Sequence, residues 1–191
     1  AFDMPVEVVF EDVSADCAIP MFQPADASIR IQAPDTEDAE KKADQMETGL
    51  KPENYQTISY DISGINNAVC TITLNRPEKY NAINKRMAVE LIDAFRRVRD
   101  IPTVAVVVLT GAGKSFCTGG DLEIFPSLAE HQNSLNWLAH EGLDVQRAIT
   151  SCEKVVICKI NGHCLAGGLE VALACDLIYA TESAKMGTTE I

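Results

Sequence analysis

The chain has 191 residues, of which 47% are hydrophobic and 23% charged, a balance that suits a water-soluble globular protein with one substantial core. No run of about 18 uninterrupted apolar residues occurs, which excludes a membrane-spanning helix. The formal charge of −12 leaves no basic surface to neutralise phosphates, so nucleic acid is excluded as a partner.

The charge is uneven. The first fifty residues hold twelve acids against Arg30, Lys41 and Lys42, a net of −9, and leave the remainder near −3. Ala1 to Phe10 carries Asp3 and Glu7 but no basic residue, the wrong chemistry for a secretory signal or a transit peptide. The expected compartment is the cytoplasm, or the mitochondrial matrix if a presequence has been removed. Seven cysteines (Cys17, Cys70, Cys117, Cys152, Cys158, Cys164 and Cys175) form no Cys-x-x-Cys pair and sit mostly among apolar neighbours. They read as buried thiols in a reducing compartment rather than a disulfide framework. His131, His140 and His163 lack metal-ligand spacing, so no metal site is expected.

Residues 1–54 read as an acidic extension or linker. Val6 to Phe10 and Ser28 to Gln32 could be short strands, punctuated by Pro20, Pro24, Pro34 and Pro52, with a helix-permissive acidic stretch from Asp35 to Thr48. A docking segment for a neighbouring domain or subunit is the alternative. From residue 55 strands and helices alternate. Ala68 to Leu74 is a β-rich run that ends at Asn75-Arg76-Pro77-Glu78. Met87, Leu91, Phe95 and Val98 then recur at helical spacing behind Asn84, a candidate N-cap. Val104 to Thr110 reads as a buried strand, Ser134 to Ser151 as a helical region, and Val155 to Ile160 as another buried strand. A small-residue helix from about Gly168 to Cys175 and a short strand from Leu177 to Thr181 follow. Strands separated by helices imply an α/β fold with parallel sheet covered by helices.

Three glycine-rich segments carry chemistry. Gly111-Ala112-Gly113-Lys114-Ser115 after a strand suggests a phosphate loop, but the earlier glycine that motif needs is Val108. Lys114 is then a solvated loop lysine or a partner of a cofactor phosphate. Phe116-Cys117-Thr118-Gly119-Gly120-Asp121-Leu122 is either a plain tight turn or a place where backbone N–H groups approach a ligand closely. Asn161-Gly162-His163-Cys164-Leu165-Ala166-Gly167-Gly168-Leu169-Glu170 closes a strand and opens a helix, whose free N–H groups suit negative charge developing on oxygen. Glu170 either complements the helix dipole or acts chemically. His163 and Cys164 are adjacent and point apart, which argues against a dyad, and no Gly-x-Ser-x-Gly elbow occurs. Glu190 follows twenty residues after Glu170, so two carboxylates could divide acid and base roles.

Together these segments resemble the crotonase, or enoyl-CoA hydratase/isomerase, superfamily. The resemblance runs through Thr71-Ile72-Thr73-Leu74-Asn75-Arg76-Pro77 with Asn81-Ala82, Phe116 to Leu122, Asn161 to Glu170, Ala174 to Ala180 and Gly187 to Glu190. It implies a ββα spiral core over residues 55–191. It also implies a thioester oxyanion held by the Gly120 and Gly167 amides, with Glu170 as base on water and Glu190 as acid at Cα. CoA contacts are implied at Lys79, Tyr80, Ala82, Thr118, Asp121 and Leu122, with coenzyme A entering as part of the substrate and no permanently bound cofactor. The implied assembly is a homotrimer or hexamer. Thr188-Thr189 stands where hydratases of the family often carry Gln-Pro. Because family members continue beyond the position of Ile191 with further helices, the chain is expected to be a C-terminally truncated crotonase domain. Enoyl-CoA hydration leads. Isomerisation, decarboxylation or thioester hydrolysis on the same site, or a catalytically weak interaction protein, are the alternatives.

Overall fold

The structure, a computed structural model, describes residues 50–122 and 143–189 in full and the backbone of two strands at 6–14 and 17–24. Backbone contacts divide the chain into two units, Ala1–Pro34 and Asp35–Ile191.

In the first unit β1 (Val6–Ser14) and β2 (Cys17–Pro24) form an antiparallel hairpin, with Val6 opposite Pro24 and Phe10 opposite Pro20. The strand at Val6 is longer than its sequence suggests, and β2 runs through Pro20, which the sequence marks as a breaker. A two-stranded ribbon has only edge strands, where a residue without an N–H leaves no interior ladder bond unmade. The expected strand at Ser28–Gln32 and the acidic stretch after it lie outside the described residues.

In the second unit β3 (Ile58–Ser63), β4 (Val69–Leu74), β5 (Val106–Gly111), β7 (Val155–Ile160) and β9 (Leu177–Ala180) make a sheet in the order β3-β4-β5-β7-β9. It is antiparallel at β3–β4 and parallel elsewhere. A parallel three-stranded sheet runs β10-β8-β6, from β6 (Ser115–Cys117), β8 (His163–Leu165) and β10 (Lys185–Gly187). Each of β5, β7 and β9 is followed by a turn that carries the chain into the small sheet. This repeated step is the ββα spiral. The crossings are tight: a Cβ on Gly162 would lie 2.0 Å from Lys114 O, and the Asn161 side-chain amide donates to Gly113 O at 2.9 Å. The glycines of the candidate phosphate loop are spent on packing: a Cβ on Gly111 would lie 2.4 Å from Ser115 O, and one on Gly113 would lie 2.9 Å from Pro77 Cβ.

Helix α1 (Lys85–Arg99) forms as its sequence predicts. Asn84 Oδ1 accepts the Met87 N–H at 2.8 Å, and Arg96, Arg97 and Arg99 sit in the last turn where cations complement the dipole. Met87, Leu91, Phe95 and Val98 are fully buried, together with Ile72, Leu74, Leu109 and Phe116. Burial of each such side chain contributes about 1.5–3 kcal/mol. Between these apolar residues α1 also buries Glu90, Asp93 and Arg97. Glu90 accepts from the N–H groups of Gln56 and Thr57 at 2.9 Å each and from Thr57 Oγ1 and Arg86 Nε at 2.5 Å each. Asp93 accepts from Tyr55 OH at 2.6 Å and Arg97 Nε at 2.7 Å, and Arg97 also donates to Leu50 O. These bonds clasp residues 50–57 onto α1. Helices α2 (Leu143–Thr150) and α3 (Gly167–Leu173) complete the described α-helices, and the part of the expected helix before Leu143 lies outside the described residues. Among the described residues no helix is long and apolar enough to cross a membrane.

Candidate active site

Two loops meet at the edge of the small sheet. In the first, residues 76–83, Asn81 is fully buried: its Oδ1 accepts Arg76 N–H at 2.9 Å, and its Nδ2 donates to Ala112 O at 2.9 Å and Ser115 O at 2.8 Å. Tyr80 and Asn81 take left-handed φ values of 50° and 57°, so the chain reverses there. The second loop follows β6. Ile83 N–H donates to Gly119 O at 2.8 Å and Asp121 N–H to Ile83 O at 2.9 Å, which stitches the loops together. Arg76 adds a charged brace: its guanidinium pairs with the buried Asp121 carboxylate at 2.8 Å and donates to Ala82 O at 2.6 Å. Removal from water makes such a charge-assisted pair directional.

The candidate CoA residues are therefore unequal. Lys79 and Tyr80 are exposed on the first loop, and Leu122 is 83% exposed on the second. Thr118 Oγ1 donates to Tyr80 O at 3.4 Å, and Ala82 turns its carbonyl to Arg76. The Asp121 side chain is committed to the brace.

Gly119 sits at φ +95°, a conformation that a side chain opposes. A Cβ there would lie 2.8 Å from Ala166 Cβ and 3.0 Å from Gly167 N. Across the gap, Ala166 caps α3 at φ 51°, ψ −131° and is held by Ala166 N–H to Gly187 O at 2.9 Å and Leu169 N–H to Ala166 O at 2.8 Å. Gly168 packs on β6 so closely that a Cβ would lie 2.4 Å from Cys117 O. Gly167 differs. A Cβ there would find ordinary contacts, 3.6 Å from Gly119 Cα, 3.8 Å from Gly120 N and 3.9 Å from Glu170 Oε2. Gly167 thus faces a small space bordered by the Gly120 amide and the Glu170 carboxylate. Neither the Gly120 nor the Gly167 N–H donates to an acceptor among the described residues.

Glu170 is exposed in the first turn of α3, and Gln146 of α2 donates to its Oε2 at 3.4 Å. Glu190, His131 and His140 lie outside the described residues. His163 is half-buried and Cys164 fully buried on β8, so the adjacent pair points apart. Burial pushes the Cys117 thiol up to about 12 and the Cys164 thiol up to about 11, which keeps both protonated at neutral pH. No group of three His, Cys, Asp or Glu among the described residues is placed to hold a metal. The sequence did not single out Arg76, Gln146 or Cys117 as site residues. Opposite charges in the two loop motifs hinted at the Arg76–Asp121 pair, whereas nothing in the sequence places Gln146 beside Glu170.

A family model described as enoyl-CoA hydratase/isomerase matches residues 64–191. The chain belongs to that family. This enoyl-CoA hydratase/isomerase family member is 41% identical over 128 residues to the (E)-benzylidenesuccinyl-CoA hydratase of Thauera aromatica, across 66% of this chain and 49% of that protein. It is 31% identical over 149 residues to the peroxisomal Delta(3,5)-Delta(2,4)-dienoyl-CoA isomerase of Arabidopsis thaliana, across 73% and 54% of the two chains. The crystal structure of an enoyl-CoA hydratase/carnithine racemase from Magnetospirillum magneticum matches with a TM-score of 0.65 at 34% identity, across 70% of this chain and 49% of that one. The family chain spans about half the length of these relatives, and the spiral fold expected from the resemblance is the fold they share.

Proposed function

We propose that the protein adds water across the double bond of an enoyl-CoA thioester. One observation carries the reading: the Gly120 amide and the Glu170 carboxylate lie 3.8 Å and 3.9 Å from the point a Cβ of Gly167 would occupy. A thioester oxygen in that space accepts from the Gly120 and Gly167 N–H groups. As a water oxygen bonds to Cβ, Glu170 takes its proton and the π pair moves through Cα onto the thioester oxygen. Fixed donors then stabilise charge that exists only late in the step, which is why loss of one such donor costs about 3–4 kcal/mol in studied enzymes. Protonation at Cα restores the carbonyl, and Glu190 is assigned that proton. Supporting this, β10 ends at Gly187, whose carbonyl accepts from Ala166, so the chain leads on toward Glu190 from beside the same turn.

Lys79, Tyr80, Ala82, Thr118, Asp121 and Leu122 would contact CoA, with Asp121 acting through its backbone because its carboxylate holds Arg76. CoA enters as part of the substrate, and the protein assembles as a homotrimer or a dimer of trimers. The acyl-CoA domain would comprise residues 55–191 together with the segment from Leu50 that α1 clasps. Double-bond isomerisation on the same site is the second reading, favoured by the likeness to the dienoyl-CoA isomerase. It needs proton transfer at carbon but no water.

Glu170→Gln separates the two. Hydration of a short enoyl-CoA should fall by about 100- to 10,000-fold, the span of a positioned acid or base, while Cα proton exchange in heavy water, followed by NMR, survives. A folded Glu170→Gln protein that hydrates at the parental rate would overturn the assignment.

A further inference from the structure

We infer that Cys117 is a positioning residue for the oxyanion turn: its backbone and Cβ seat the Gly167 turn while its thiol ties down the Gly120 loop, and together they set the spacing between the Gly120 and Gly167 amides. The inference rests on the reading of those amides as the oxyanion hole.

Cys117 closes β6 and is fully buried. On one side its sulfur meets the loop that carries Gly120: Gly119 N–H donates to Cys117 Sγ at 3.4 Å, and the thiol lies 4.0 Å from Gly119 O, which it can donate to. Sulfur accepts at such lengths, so both polar groups of Gly119 are tied to one atom. The tie spans Thr118 and stabilises the positive φ at which Gly119 must sit. Gly119 O also accepts from Ile83 N–H, so the clasp extends to the first loop. On the other side, the backbone and Cβ of Cys117 are the floor for Gly168. A Cβ on Gly168 would lie 2.4 Å from Cys117 O and 2.9 Å from Cys117 Cβ. Gly168 follows Gly167 directly, so Cys117 touches the immediate neighbour of each proposed donor. Because burial pushes the thiol up to about 12, it keeps its proton at neutral pH and serves as donor and acceptor together. A methyl at this place would fill part of the space and supply neither bond.

The test compares Cys117→Ala, Cys117→Val and Cys117→Ser with the parent. Valine fills the place of the sulfur with a methyl and adds a second one, without a polar group, and serine keeps a donor and acceptor on a shorter bond. The probe is a 2,4-dienoyl-CoA thioester, whose ultraviolet band moves to longer wavelength when donors polarise its carbonyl. In the alanine and valine proteins the red shift should fall by about half or more and kcat for hydration by roughly 10- to 100-fold, as a displaced donor requires. KM should stay within about threefold, because most of the ground-state binding comes from CoA contacts away from the carbonyl. Serine should hold kcat within about fivefold of the parent. A residue that merely stabilised the fold would lower Tm and leave the red shift intact. A folded valine variant with parental red shift and kcat therefore overturns the role of Cys117 alone. If the parent itself binds the probe with no red shift, the oxyanion reading falls, and the inference falls with it.

Discussion

Glu90→Gln tests whether the buried charge on α1 holds the fold. Glu90 is fully buried and accepts four hydrogen bonds, from Gln56 N–H, Thr57 N–H, Thr57 Oγ1 and Arg86 Nε. An amide has one oxygen, so its NH2 group must face at least one of these donors, leaving a backbone N–H unsatisfied and Arg86 without its charge partner. Hydrogen bonds to charged groups are worth about 1.5–3 kcal/mol, and breaking a buried pair from one side costs about 3–5 kcal/mol. Arg86 is 40% exposed and recovers water, which reduces its share. A loss of about 2–4 kcal/mol at neutral pH follows, or roughly 4–16 °C in Tm for a chain of this size. The pH dependence gives a second check. Burial alone raises the Glu90 carboxyl, but the Thr57 hydroxyl, Arg86 and the two backbone N–H groups outweigh it and hold it below the ordinary carboxylate value of 4.5. Its stabilisation is therefore complete above the unfolded value and lost as pH falls through the folded one. Urea unfolding of parent and variant should show a gap that is widest near neutrality and narrows in acid. Equal stabilities at neutral pH, or a gap that stays constant into acid, would refute the reasoning.

The adjacent glycines should respond oppositely. Gly168→Ala drives a Cβ into Cys117 O at 2.4 Å and should cost about 1–3 kcal/mol by overpacking, read as a lower Tm. Gly167→Val meets only ordinary contacts at Cβ, so Tm should hold within about 2 °C while acyl-CoA turnover is lost as the side chain fills the site. Gln146→Leu removes the donor to Glu170 and should lower kcat by about three- to tenfold. In a double-mutant cycle it should add little to Glu170→Gln, since residues that act as a unit are non-additive.

What the sequence made legible was whatever depends on neighbours in the chain. The α1 helix announced its cap at Asn84 and its buried face at Met87, Leu91, Phe95 and Val98, and Val155 to Ile160 is β7 to the residue. The stripe of Glu90, Asp93 and Arg97 reads by pattern as a solvated face. It is buried because residues 50–57 cross it and satisfy its charges, a tertiary event with no local signature. Pro20 misled for a different reason, since a two-stranded ribbon consists of edge strands, which tolerate a proline that a central strand would not. The glycine pairs of the site were legible as motifs, but not the separate tasks of their members. Only the packing tells Gly168, which sits on Cys117, from Gly167, where a Cβ would make only ordinary contacts.

The same contrast explains why alanine stands at position 166 and glycine at 119. Both positions have positive φ, and their Cβ sites would lie 2.8 Å apart, so the turn holds one side chain and not two. Alanine at φ 51°, ψ −131° costs of order 1–3 kcal/mol, and such a conformation persists only where its surroundings over-determine it. Two bonds do so here. Leu169 N–H fixes the Ala166 carbonyl from within α3, and Gly187 O fixes its N–H from β10. The direction of the Gly167 amide therefore depends on a strand that is three residues long and joins the sheet last in chain order. On the hydratase reading, that short strand orients an oxyanion donor, so that loosening of β10 would free the charge-stabilising amide from the direction the turn imposes on it.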